Sequence, residues 1–361
     1  MTASSGRLRV AVIGVGHLGR HHVRLLAGMP RVELVAAVDV VPERARAAVE
    51  GTGADAFEDY RAVLGRVDAV TIAVPTSSHL AIAADCLQHG RHVLVEKPMA
   101  ASLAEADTMM AAAEAAGVRL AVGHTERFNP ALEAALPLLG RARFIEVHRL
   151  SGFPERSLDI DVVFDVMIHD LDIALAIDGT DVTSVEAIGV PVLTSRIDIA
   201  NARLKFASGC VANITASRIS RDKIRKLRCF QPDMYVSVDY AAQELDAWRL
   251  RRTPGERPAI EGGPVAVQKD EPLRRELADF VDSVLDDRAP TVTGTAGRRA
   301  LALATRVADA IGADAAEPGP AIEPDALKKM TSVSSFRGPV APVVPVAPDV
   351  SVVPVDPDDL S

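Results

Sequence analysis

The sequence predicts two domains of different class. The first is an α/β unit on a doubly wound parallel sheet, and the second is an α+β unit with a mostly antiparallel open sheet. Two observations carry this. Strand-like and helix-like runs alternate strictly from Leu8 to Val122, whereas strand-like runs follow one another without helices from Thr183 to Arg252. A third observation marks where folding stops: from about Ala316 the composition turns to Pro, Val, Asp and Ser, which predicts an extended, disordered tail. The expected units are residues 1–124, residues 125–315 with the final helices packing back, and the tail 316–361.

Composition narrows the function classes. With 361 residues, 48% of them hydrophobic, the chain can bury two cores. A net charge of -9 and the lack of a clustered basic and aromatic footprint argue against nucleic acid as a partner. No run approaches the ~18 apolar residues of a membrane span. Cys86, Cys210 and Cys229 show neither CxxC nor His at zinc spacing, so they read as reduced, buried and inert, with no metal site. The N-terminus lacks the apolar core of a signal peptide, and the chain reads as cytoplasmic.

Leu8 to Ile13 is the first strand, and G-V-G-H-L-G at Gly14 to Gly19 opens the helix after it. Gly14 permits a tight turn, Gly16 lets the backbone approach a pyrophosphate, and Gly19 lets the helix pack closely. His17 and Leu18 lie inside the same turn. This is the dinucleotide fingerprint of a Rossmann domain. A second strand, Glu33 to Val38, ends in Asp39, 20 residues after Gly19, where a carboxylate binds the adenosine ribose and repels a 2′-phosphate. NAD is therefore favoured over NADP, although Arg44 and Arg46 follow closely and can clamp a phosphate. A helix from Pro42, a strand at Ala54 to Phe57, a helix from Glu58 and a strand at Ala69 to Val74 continue the alternation. P-T-S-S-H, Pro75 to His79, comes at the carboxyl end of that last strand, where ligands of open α/β sheets sit, so Thr76 and His79 are cofactor candidates. Ser77 or Ser78 can equally serve only to cap the next helix. The strand His92 to Val95 then runs into Glu96-Lys97-Pro98, and a strand Val118 to Val122 into G-H-T-E-R-F-N-P.

Asp161 to Ile177 reads as a helix apolar on nearly every side, which predicts burial. Asp161, Asp165, His169 and Asp172 recur at steps of four, four and three, so an α-helix would stack them in one polar stripe. Such a stripe either looks into a site or is a self-satisfied pair inside a core. Farther on, Arg218, Arg221, Lys223, Arg225, Lys226 and Arg228 form a charged segment that reads as an exposed or edge strand, with diphosphate recognition as the alternative.

The fingerprint with Asp39, then V-E-K-P at Val95 to Pro98, then D-V-M-I-H at Asp165 to His169, resembles the glucose-fructose oxidoreductase and inositol dehydrogenase family of NAD(P)-dependent sugar oxidoreductases. The likeness extends over roughly residues 8 to 313. It implies that Lys97 and His169 flank the reacting alcohol with Asp165 beside the His, that Glu96 and Lys97 also border the cofactor, and that the bond from Lys97 to Pro98 is cis. It further implies a substrate pocket on the helix-covered side of the second sheet and a homodimer or homotetramer formed through the open side. G-H-T-E-R-F-N-P with H-R-L-S-G-F-P-E-R and S-L-D-I-D-V-V looks like the subgroup that oxidises the 3-hydroxyl of UDP-N-acetylglucosamine, whose product is aminated for a diamino-sugar lipid A. On that likeness His124, Arg127, Asn129, Arg149 and Arg156 become candidates for sugar or diphosphate contacts, beside Asp165 and His169. Inositol or aldose oxidation, or a non-catalytic NAD-binding regulator, are the competing readings.

The residue chemistry agrees with dehydrogenation. An imidazole titrates near neutral pH, suiting His169 as the base, with Asp165 one turn earlier to orient it. Lys97 is cast as the donor that stabilises a developing alkoxide.

Overall fold

Short β-rich apolar runs build the first sheet in nearly the expected order, in a computed structural model that describes residues 6–152 and 160–313. Its elements are β1 (Leu8–Ile13), α1 (Gly19–Ala27), β2 (Val32–Val38), α2 (Pro42–Val49), β3 (Asp55–Phe57), β4 (Ala69–Ile72), α3 (His79–Gln88), β5 (His92–Glu96), α4 (Leu103–Ala116) and β6 (Leu120–Gly123). All neighbours pair in parallel, in the order β3-β2-β1-β4-β5-β6. Val10, Ala11 and Val12 are wholly buried, as expected of a strand covered on both faces. The helix expected from Glu58 is a single 3-10 turn, Tyr60–Val63, started by Asp59, whose carboxylate accepts the Arg61 N–H at 3.0 Å. The segment is too short to repay the cost of nucleating an α-helix. Ser102 caps α4 by accepting the Glu105 N–H at 3.2 Å, and Glu105 returns the favour by accepting from Ala101 at 3.0 Å.

After α5 (Pro130–Ala135) comes β7 (Phe144–Leu150), and farther along the chain α6 (Ile168–Asp178). The remaining strands are β8 (Val182–Val190), β9 (Ile199–Phe206), β10 (Val211–Ser217), β11 (Ile224–Phe230), β12 (Met234–Asp239), β13 (Glu244–Arg251) and β14 (Ala259–Val265). With β7 they form an eight-stranded sheet in the order β14-β13-β12-β11-β7-β10-β9-β8, antiparallel except for β7 with β10. Three expectations need correction here. β14 was absent from the sequence reading because A-I-E-G-G-P-V resembles a loop; it is an edge strand, where proline is tolerated. Gly262 lies at φ 138° with its α-carbon so close to β13 that a Cβ would meet the Ala247 carbonyl oxygen at 2.0 Å. β11, expected to be an exposed or edge strand, is not an edge but lies between β12 and β7, while Arg221, Lys223 and Arg225 of that segment are exposed as expected. Arg218, counted in that charged segment, is 1% exposed and binds Asp198 at 2.9 Å, the Thr194 hydroxyl at 3.1 Å and the Ile160 carbonyl at 2.6 Å.

Two helices return the chain to its beginning. α7 (Pro272–Leu285) buries Leu277, Phe280 and Val281 in the core beneath α1, and ion pairs from Arg24 to Glu271 and from Arg31 to Asp282 and Asp286 rim that contact. α8 (Gly294–Ala313) contributes Leu301 to the first sheet's core and Ala304 and Val307 to the second's. Partly buried Phe164 packs against both cores, immediately before Asp165. The end of the second unit and the expected tail, residues 314–361, lie outside the described residues.

Candidate active site

The carboxyl ends of β1, β2, β4, β5 and β6 carry the motifs read from the first half. Gly14 has φ 83°, and a Cβ on it would lie 2.6 Å from Val74 and 2.7 Å from the Ala73 carbonyl. A Cβ on Gly19 would stand 1.8 Å from the Gly14 carbonyl oxygen, so α1 starts hard against the turn. Around Gly16 there is open space, and His17 and Leu18 beside it are exposed. Asp39 is 8% exposed; its carboxylate accepts the Val15 N–H at 3.0 Å and the Val41 N–H at 2.9 Å, which fixes it at the mouth of the turn. Arg46 pairs with Glu43 rather than standing open for a phosphate. An approachable glycine turn beside a fixed, buried carboxylate fits an NAD adenosine and pyrophosphate.

Thr76 begins a 3-10 turn at the end of β4 and is half-buried, and Ser78 makes no side-chain cap for α3. His79 does not face the opening. It is 1% exposed, with Nδ1 3.1 Å from the Pro98 carbonyl oxygen and Nε2 2.9 Å from that of Val74. It therefore joins the ends of β4 and β5, a structural role the sequence reading had given to cofactor contact. The Lys97–Pro98 bond is cis. Glu96 is 6% exposed; its Oε1 lies 3.1 Å from His22 Nε2 and its Oε2 accepts the Lys97 N–H at 3.2 Å. Burial pushes this carboxyl up, but the hydrogen bond to His22 and the nearby Lys97 charge outweigh it and leave it below its ordinary value. Glu276 of α7, buried near Glu96, is pushed well above the ordinary carboxylate range by burial first and by the Glu96 charge next.

The Asp161 to Ile177 stretch is not one α-helix. Val163–Met167 forms a π-helical turn and α6 begins only at Ile168. The extra residue in the turn shifts the phase, so the stripe expected from α spacing divides. Asp161 accepts the Ile197 N–H at 3.0 Å, away from the site. Asp165 meets Lys97: the ammonium donates to the Asp165 carbonyl at 2.6 Å and to its carboxylate at 3.2 Å. Asp172 takes Arg127 at 3.2 Å. His169 is half-buried, and its Nδ1 is enclosed without a hydrogen-bond partner, so Asp165 does not orient it as expected. Burial first, then the charges of Lys97 and Arg149, hold this imidazole well below its ordinary value. The His124 ring stands 5.9 Å from it at 89°.

Three candidates for substrate contact are enclosed in the protein, two of them already hydrogen-bonded there. Arg149, 5% exposed, spans Asp170 with bonds of 2.7 and 2.8 Å and reaches Glu126 at 2.9 Å, with its guanidinium 5.2 Å from the Tyr240 ring. Asn129 caps α5 by accepting the Ala131 N–H at 3.1 Å and donates to the Tyr240 carbonyl at 3.0 Å. His124 is 1% exposed. Arg127 has a half-buried guanidinium held by Asp172, and Arg156 lies outside the described residues. Sequence reasoning missed Glu126, Asp170 and Tyr240, the partners of Arg149, because they fall off the α-helical stripe or on other elements. It also gave no separate role to Arg225, the register neighbour of Arg149 on the same sheet face, about half exposed and 3.7 Å from Glu126. No group of three or more His, Cys, Asp or Glu poised to hold a metal occurs among the described residues, and all three cysteines are free and buried.

Comparison with known proteins agrees with this architecture. Residues 8–124 match the model of an oxidoreductase family with an NAD-binding Rossmann fold, and residues 138–231 match the GFO/IDH/MocA C-terminal domain. The chain is 39% identical over 310 residues to the UDP-N-acetylglucosamine 3-dehydrogenase of Acidithiobacillus ferrooxidans, covering 85% of this chain and 98% of that one. A solved structure of that dehydrogenase superposes with a TM-score of 0.80 at 38% identity, over 85% of this chain and 98% of that one. Levoglucosan dehydrogenase in complex with NADH and levoglucosan, at 18% identity, shares the fold with a TM-score of 0.76 over 86% of this chain and 98% of its own. With both halves matched and a relative covered almost end to end, the chain belongs to the GFO/IDH/MocA family of NAD-binding oxidoreductases.

Proposed function

We propose that this oxidoreductase converts the 3-hydroxyl of a UDP-N-acetylglucosamine-type nucleotide sugar to the 3-keto sugar, with NAD as acceptor. The observation that carries the substrate is the coverage of 98% of a UDP-N-acetylglucosamine 3-dehydrogenase at 39% identity. The convergence of Lys97, from the end of β5, with Asp165, from the turn before α6, and His169, from the first turn of α6, supports the reaction class. Gly14, Gly16 and Gly19 would hold the pyrophosphate and Asp39 the ribose, with exposed Val40 beside it offering an apolar surface to the adenine. When bound, NAD accepts the carbinol hydrogen with its two electrons.

The remaining chemistry belongs to the chain. Two of the three Lys97 N–H groups are spent on Asp165, which aims the third at the alcohol oxygen, where it stabilises developing negative charge. His169 takes the hydroxyl proton. Its lowered proton affinity keeps it neutral and ready to accept throughout the neutral range. Removing Asp165 would free Lys97 rather than disorient His169. Arg127, held by Asp172, and half-exposed Arg225 are the cations proposed to meet the diphosphate of the sugar nucleotide. The units serving these roles are residues 1–124 for cofactor and 125–315 for substrate.

The test is NADH formation from NAD across a panel of nucleotide sugars, free inositol and free aldoses, with a trap for the keto product. Turnover is expected with UDP-N-acetylglucosamine, and turnover only of inositol or a free sugar would overturn the reading. The chain is further proposed to work in the cytoplasm as a homodimer or homotetramer. Support for the assembly is the open side of the second sheet, which exposes Ile188 (64%), Trp248 (41%) and Ile260 (74%). Light scattering that returned a monomer mass would remove this part.

A further inference from the structure

A histidine base usually has its second nitrogen held by a carboxylate or carbonyl, and here that partner is missing. Asp165 is committed to Lys97, and His169 Nδ1 is enclosed with no hydrogen bond. The group that does meet the ring is His124, from the end of β6, 5.9 Å away and at 89°. His124 is 1% exposed and both of its nitrogens are buried without a hydrogen-bond partner among the described residues, so it does not reach solvent.

We propose that His124 is a positioning residue, a neutral ring packed edge-to-face behind His169 that fixes the orientation of the base and keeps water from its inner side. This rests on the reading of His169 as the base. Edge-to-face packing is the favoured arrangement of aromatic pairs and leaves His169 only its outward direction. The surroundings suit a neutral ring: Asp172 of α6 and Glu96 of β5 face His124 from one sign, and Lys97 and Arg127 from the other. His169 in turn is faced by Lys97, by Arg149 of β7, by Arg225 of β11 and by His124. The largest charge effects on the base are cationic, from Lys97, Arg149 and Arg225, although Asp165 lies on Lys97 and Asp170 on Arg149, so a dry inner side holds its proton affinity down, whereas entry of water would let it rise.

The test compares His124→Phe, which keeps the ring and loses the nitrogens, with His124→Gln, which keeps polarity and loses the ring. Two quantities are read: the His169 titration by histidine-selective NMR on the substrate-free protein, assigned against His169→Ala, and kcat with the KM for NAD. His124→Phe is expected to keep the low titration and to hold kcat within about threefold. His124→Gln is expected to move the titration up toward an ordinary imidazole and to lower kcat about tenfold or more, the size of effect that misplacing a reacting group produces, at unchanged KM for NAD. His124→Leu repeats the test should Gln not be tolerated in the core. A ringless variant with wild-type titration and turnover would overturn the proposal, and so would a Phe variant as impaired as Gln, because the nitrogens would then be what matters. The titration needs no substrate, so it decides this point even if wild-type protein fails to oxidise the nucleotide sugar.

Discussion

The two sheets prepare their sides of the site by opposite means. On the parallel sheet each functional group follows directly from a strand end, so Gly14, Asp39, Thr76 and Lys97 arrive in chain order at one edge. On the second sheet the groups come from a π-helical turn and the first turn of α6, and most of its charges are already matched: Arg149 with Asp170 and Glu126, Arg127 with Asp172, Arg218 with Asp198. The difference teaches that an arginine beside a proposed site reads as a ligand contact only after its carboxylate partners have been located. The proposed cofactor site offers backbone and one carboxylate, while the proposed substrate side first has to neutralise its own buried ions.

That contrast can be broken experimentally. The largest effect is expected from Arg149→Met. Asp170, 0% exposed, would lose its partner, and breaking a buried pair of this kind costs about 3–5 kcal/mol of stability. Denaturant unfolding checks this, and a variant of wild-type stability with a raised KM for the nucleotide sugar would return Arg149 to the substrate. Next in size, His169→Ala should lose on the order of 100-fold or more in turnover while still binding NAD. For the wild type, the acid limb of kcat/KM should lie below the ordinary imidazole value of 6.5, because the base works unprotonated and its folded pKa is lowered. A limb at or above that value would argue that His169 titrates in water, or is not the base. The smallest effect belongs to Asn129→Ala, where loss of a helix cap costs ~1 kcal/mol. KM for the nucleotide sugar should stay unchanged; a rise without loss of stability would make Asn129 a binding residue.

Much of the first sheet was legible because its signals are local. Gly14 turns the chain at positive φ and Gly19 stands against the Gly14 carbonyl a few residues earlier, and a strand buried on both faces announces itself as a continuous apolar run. The short 3-10 turn at Tyr60–Val63, read as a helix, shows the limit of period alone in a brief segment. In the second half, strand succession was visible but strand neighbours were not: β11 reads as a charged edge and is interior, because the strands beside it come from distant parts of the chain. The polar stripe held only in part, with Asp165, His169 and Asp172 bordering Lys97 and His124 while Asp161 turns away, for a related reason. A single inserted residue at Val163–Met167 changes which side chains share a face, and no spacing rule based on 3.6 residues detects it.

By itself the sequence determined the two fold classes, the glycine turn with its carboxylate, and the presence of an amine and an imidazole in motifs that resemble one family. Each of these depends on neighbours in the chain or on periodic burial. Tertiary structure alone decided which carboxylate each cation takes: Asp165 goes to Lys97 rather than His169, and Asp170 to Arg149. Ion pairing in a core is settled by distance in space, and residues 68 apart, such as Lys97 and Asp165, have no local signal of their meeting.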